Sequence, residues 1–222
     1  MLEKLELESV KYEEVSVRSF EEAVDEIGKE GLEDTDFCLL DIDGVLITNN
    51  LVKIPGVTHL VEPKIKENTK RAFRCLVDIF KGSVAISTNR SENESFIFNS
   101  KKVVKEVKDL IDSVEEKVVF FSGLFKQIPG LTKEDIAEAG LYIEEGLECG
   151  EVVKARIDRL AHYVAKRVME DNSDSLTLYS IEDFSIVSLN RRDFLMYVAD
   201  TLREEYYIDV NIRNFVIRGS LL

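Results

Sequence analysis

The feature that most constrains the fold is a set of short apolar runs that do not alternate. Residues 36–41 (DFCLLD), SVAIST at 83–88, KVVFFSG at 117–123 and SLTLYSI at 175–181 are apolar on consecutive positions. A strand buried on one face alternates apolar and polar residues, whereas a strand covered by helices on both faces is apolar throughout. DVNIRNFVIR, residues 209–218, alternates more than it runs. These segments predict a mainly parallel sheet.

The intervening stretches read as helices. Ser19 and Glu22 have capping-box spacing ahead of FEEAVDEI, and Ser91 and Glu94 repeat it before a long amphipathic segment. In that segment Val103, Val104, Val107, Leu110, Ile111 and Val114 form one apolar stripe, and VKARIDRLAHYVAKRV carries another. Asn190 is placed to cap RRDFLMYVADTL, and Gly82 to end the helix running through KRAFRCLVDIF. Alternating strands and helices predict a three-layer α/β/α, Rossmann-like domain. No repeat, low-complexity tract or linker divides the chain, so residues 1–222 are expected to form a single domain. Residues 1–35 read as an N-terminal extension with a helix, and 124–153 as a small irregular insertion in which GLYIEEGLECG suggests a short extended pair.

Bulk properties narrow the classes of function. Hydrophobic residues make up 45% and charged residues 32%, as in a globular protein with a real core. No run approaches the roughly 18 apolar residues that cross a bilayer. MLEKLELESV is charged throughout and lacks the apolar core of a secretory signal, which makes the cytoplasm the expected location. The formal net charge is −14, and no basic stripe is visible, arguing against nucleic acid and anionic membranes as partners. Cys38, Cys75 and Cys149 fit neither a disulfide framework nor a zinc site. Two histidines, His59 and His162, are too few and too separated for a histidine metal centre.

In parallel sheets ligands bind at the carboxyl ends of the strands. There the sequence places Asp41-Ile42-Asp43-Gly44, then Ser87-Thr88-Asn89-Arg90, then Glu182-Asp183, with Lys154 near the start of the helix before the last pair. The carboxylates offer only oxygen ligands and suit a hard cation such as Mg²⁺. The Thr88 hydroxyl, the following amides and Lys154 suit an anionic group. Crowded acids need such compensation: at ~4 Å and an effective dielectric near 20, each like-charge pair costs about 4 kcal/mol. One aspartate can attack phosphorus, and a second carboxyl two residues on can manage the protons.

Taken together, DIDGVL after an apolar strand, AISTNR after the second and SIED after the fourth resemble the haloacid dehalogenase superfamily of phosphohydrolases. The resemblance covers roughly residues 36–218, by element counting. It implies Asp41 as nucleophile and Asp43 as general acid/base, with Thr88 and Asn89 at the phosphate and Lys154 neutralising the phosphoryl oxygens. Mg²⁺ would be held by Asp41, the backbone carbonyl of Asp43 and Asp183. Family members often carry a further acid four or five residues later; here Val187 and Ser188 stand there, so Glu182 is assigned as the additional ligand. Lys126 and Lys133 compete with Lys154 for the third motif, but only Lys154 heads a periodic helix. An acid at position 43 resembles the phosphatase and phosphomutase branches, not the dehalogenases or transport ATPases.

Each piece also has a plainer reading. Asp-x-Asp-Gly alone can be a self-capped turn, Thr88-Asn89 a helix entry, Glu182-Asp183 a solvated loop and Arg90 a surface arginine. The combination favours a Mg²⁺-dependent phosphatase acting on a phosphate monoester through an aspartyl-phosphate, with little or no cap. The alternatives are a phosphotransferase such as a sugar phosphomutase, and a catalytically idle relative that binds a phosphorylated ligand or a protein. The intervals 44–83 and 124–153 are too short for an independently folded lid, which predicts a fairly open site closed in part by loops near Pro55 and Pro129.

Overall fold

The computed structural model describes residues 10–47, 51–54, 57–60, 64–87, 100–115, 118–121, 151–183 and 188–218. They form an α/β fold around a six-stranded sheet in which every pairing is parallel. The strands are β1 (Lys11–Val17), β2 (Phe37–Leu40), β5 (Val84–Ser87), β6 (Val119–Phe121), β7 (Ser175–Asp183) and β8 (Asp209–Ile217), in the order β1-β8-β7-β2-β5-β6. A separate antiparallel hairpin pairs β3 (Leu51–Ile54) with β4 (Val57–Leu60). The helices are α1 (Phe20–Ile27), α2 (Glu67–Ile79), α3 (Ser100–Ile111), α4 (Glu151–Glu170) and α5 (Ser188–Tyr206).

The helices cover both faces. Phe20, Ala23, Val24 and Ile27 of α1, Phe73, Leu76 and Val77 of α2 and Val103, Val107 and Leu110 of α3 share one core with Cys38, Leu40, Ile86, Tyr179 and Ile181. Ile157, Leu160, Val164 and Val168 of α4 and Leu195, Val198 and Leu202 of α5 share the other with Phe37, Leu39, Leu178 and Ile212. Consecutive residues of β2 therefore feed opposite cores, which is why FCLL has no polar position and is wholly buried. Connections that move toward β6 cross on the α1–α2–α3 face, and those that return toward β1 cross on the α4–α5 face. Right-handed crossovers demand that arrangement.

Local signals account for several boundaries. The Ser19 side chain caps α1, accepting from the Glu22 N–H at 3.2 Å. The Glu22 carboxylate reaches past the cap to the Arg18 N–H at 2.7 Å, a one-residue offset from a capping box. Helix α2 ends where Gly82 predicts: its N–H returns to the Val77 carbonyl at 3.0 Å and its φ is +79°. Asn190 is not a cap, because α5 begins at Ser188 and contains it. The proposed cap Ser91 and its partner Glu94 lie outside the described residues, as does GLYIEEGLECG.

Two elements differ from expectation. The extension at 1–35 contributes a strand as well as its helix: β1 pairs with β8 from Lys11↔Asn211 to Val17↔Ile217. Its exposed Glu13, Glu14 and Lys11 suit a sheet edge, where charge discourages further pairing. The interval 44–83, read as loop plus helix, contains the β3–β4 hairpin, with Pro55-Gly56 between its strands.

Candidate functional site

The strand order reverses between β2 and β7. The chain leaves β2 toward β5 and β6, then returns to lay β7 on the other side. Such a switch point opens a crevice beyond the carboxyl ends of the two flanking strands. Those ends carry Asp41 and Asp183.

Asp41 extends the ladder by one residue, its N–H donating to the Ile181 carbonyl at 3.1 Å. The backbone then leaves the sheet. The Ile42 N–H, freed from the ladder, donates to Asp41 Oδ1 at 2.7 Å. A single coil follows, with the Leu46 and Ile47 N–H groups both reaching the Ile42 carbonyl at 3.0 Å and the Gly44 N–H donating to the Ile47 carbonyl at 2.9 Å. Ile42, Val45, Leu46 and Ile47 are buried and pin the coil to the core, while Asp41, Asp43 and Gly44 are partly exposed. Apolar side chains thus anchor a turn that presents its acids at the sheet edge.

Gly44 has φ +71°, a left-handed conformation, and a second reason to be glycine. A Cβ built on it would lie 2.5 Å from both Cγ and Oδ2 of Asp183. The last residue of β7 therefore rests its carboxyl on the turn that carries Asp41 and Asp43. Two neighbouring strands thus set Asp183 against the turn that carries Asp41 and Asp43.

Glu182 is placed differently. It and Asp183 are consecutive in β7, so their side chains leave opposite faces. Glu182 is buried and accepts a hydrogen bond from Asn214 Nδ2, which also donates to the Tyr12 hydroxyl at 2.9 Å. The residue assigned as the additional ligand beside Asp183 thus has its carboxylate hydrogen-bonded to Asn214. Burial raises the Tyr12 phenol above its usual pKa; the Asn214 hydrogen bond opposes the rise and the Glu182 carboxylate adds to it. The Arg192 guanidinium lies 4.9 Å from the centre of the Tyr12 ring, tying α5 to the edge strand. Sequence reading passed over Asn214 and Tyr12. The available signal was an amide in the alternating series Val210, Ile212, Asn214, Val216, an otherwise apolar face of β8 on which a polar group rarely goes unpartnered.

The Leu40↔Ile86 and Leu40↔Ile181 pairs put Asp41 next in line with Ser87 on one side and Glu182 on the other. Lys154 lies in the first turn of α4, whose later turns pack against the α4–α5 face of the sheet. Thr88, Asn89 and Arg90 lie outside the described residues, as do Lys126 and Lys133. The donor set of Asp41, Asp43 and Asp183 is all oxygen and fits a hard divalent cation. Among the described residues, no three His, Cys, Asp or Glu side chains already converge closely enough to hold one.

Among those residues, too, no helix is long and apolar enough to cross a membrane. No family model, curated protein or solved structure matches the chain.

Proposed function

We propose that the chain is a Mg²⁺-dependent phosphatase of the haloacid dehalogenase type. The observation that carries this reading is the contact of Asp183 with Gly44, which ties the β7 acid to the Asp41–Asp43 turn at the switch point. In this reading an Asp41 carboxylate oxygen attacks phosphorus, forming an aspartyl-phosphate as the ester oxygen departs. The Asp43 carboxyl gives its proton to that oxygen, then takes one from the water that attacks phosphorus and frees inorganic phosphate. Thr88, Asn89 and Lys154 receive the phosphoryl oxygens. Asp41, the Asp43 carbonyl and Asp183 would hold Mg²⁺. When bound, the ion supplies charge neutralisation at the transferring group.

Hydrolysis is favoured over transfer by access. Between Gly44 and Ser83 the described residues form only the hairpin and α2, with no separate lid domain. Residues 122–150, the other interval where a lid could stand, lie outside the described residues; an open site would let water reach the intermediate and admit a substrate that extends beyond the pocket.

The test is turnover of a panel of phosphate monoesters, beginning with an aryl phosphate. We expect release of phosphate that requires Mg²⁺, stops with EDTA and returns on re-addition. Phosphate-ester binding without turnover across the panel would instead make the chain a binding protein.

A further inference from the structure

We infer that Glu182 is a positioning residue: with Asn214 and Tyr12 it forms a polar chain that anchors the end of β7 and so sets where Asp183 puts its carboxyl. The inference rests on the phosphatase reading for the task of Asp183.

Three observations lead to it. Glu182 is 4% exposed and Asn214 1%, so both partners are withdrawn from solvent. A carboxylate that deep is costly unless hydrogen-bonded, and Asn214 supplies the donor. Second, the Asn214 amide is oriented at its own expense. Its Nδ2 serves both Glu182 and the Tyr12 hydroxyl, while its Oδ1 is buried without a hydrogen-bond partner among the described residues. Turning the amide over would set Oδ1 against the Glu182 carboxylate, so the Glu182 bond dictates the orientation. Third, the chain spans three adjacent strands. Asn214 on β8 is paired with Ser180 of β7 and Glu14 of β1, and its side chain bridges one residue from each neighbour. Fixing Glu182 fixes the β7 backbone one residue before Asp183, whose side chain lies where a Cβ on Gly44 would stand. Groups that orient a metal ligand in this way commonly matter as much as the ligand.

The test compares Glu182→Gln, Glu182→Ala, Asn214→Ala and Tyr12→Phe in the full chain. Mg²⁺ affinity is read by calorimetry, fold stability by urea, and turnover with an aryl phosphate. Glutamine still accepts from Asn214, so Glu182→Gln should bind Mg²⁺ nearly as the wild type does. Glu182→Ala and Asn214→Ala should bind roughly 10–100-fold more weakly while folded, and Tyr12→Phe should shift in the same direction by less. If Glu182→Gln is as weak as Glu182→Ala, the negative charge itself meets the ion and the inference fails. It fails equally if Asn214→Ala lowers the urea midpoint yet binds Mg²⁺ as tightly as wild type. A wild-type chain that binds Mg²⁺ but hydrolyses no ester ends the phosphatase reading, and the calorimetric series still decides the positioning role. A wild-type chain that does not bind Mg²⁺ overturns both.

Discussion

Asp183 and Gly44 share a contact with no room for a methyl group: the carboxyl at the end of β7 occupies the place where a Gly44 side chain would stand. Gly44→Ala therefore meets two penalties, a left-handed φ and a collision that includes Asp183 Cβ, an atom no rotamer change moves. We expect a stability loss of roughly 1–3 kcal/mol and a loss of phosphatase activity. Combining it with Asp183→Gly removes the obstructing side chain, so the double variant should recover part of the stability and none of the activity. Urea midpoints of the four proteins in this cycle measure the coupling.

The two aspartates of the turn should separate by their intermediates. Asp41→Asn should abolish turnover while keeping the fold, because an amide does not attack phosphorus. Asp43→Asn should slow turnover by about 10²–10⁴-fold, and acid quenching should trap phosphorylated protein. Near-normal turnover in Asp41→Asn would end the covalent mechanism.

Lys154→Ala should cost more activity than Lys126→Ala or Lys133→Ala, measured at saturating Mg²⁺. Lys154 lies in the first turn of α4, which packs on the face that Asp41 shares by register with Leu39. Removing a charge aimed at the transferring group typically costs roughly 10²–10³ in kcat. A larger effect at Lys126 would reassign the phosphate lysine and leave the aspartates untouched.

Acid stability should carry a signature from the opposite end of β2. Asp36 is buried, and its two oxygens accept from the Thr177 N–H at 2.8 Å and the Glu33 N–H at 3.0 Å. Burial raises its carboxyl above the usual range, against the pull of those N–H groups. The folded chain then holds this proton more tightly than the unfolded chain. The associated stability is complete below the unfolded pKa and is lost as pH rises through the folded one. Asp36→Asn keeps one acceptor and should cost roughly 1–3 kcal/mol. The wild-type margin over this variant should be widest at acid pH and shrink as pH rises; a margin that grows would show the ionised form to be the favoured one.

What the sequence made legible follows burial. β2, β5, β6 and β7 lie inside the sheet or under helices, and their apolar runs place them within a few residues. β1 escaped notice because it is an edge: only Val17 is buried, and the pairing with β8 that makes it a strand is invisible in KYEEVSV. The β3–β4 hairpin had a signal in Pro55-Gly56 between two short β-formers, which a count of helical residues obscured. At the site, DIDG and SIED located the acids of β2 and β7. Their surroundings were hidden, since these depend on which face each acid leaves and, for Glu182, on Asn214, 32 positions further along the chain.

The pairing of β1 with β8 also orders events during synthesis. Glu13 and Arg213, bonded across that edge, stand 200 positions apart. While the ribosome is still adding the chain, β1 has no neighbour to join, and Tyr12 has no Asn214 to meet. Domains begin to organise from the N-terminus as they emerge, but here β1 must wait for β8. A nascent chain halted before Asp209 would display β1 as an open ribbon and leave β7 as a raw edge, with the Glu182 carboxylate stripped of its amide. The acids at the ends of β2 and β7 are thus secured only once β8 has been made, and truncation before Asp209 should expose the product to proteases at β1 as well as at β7.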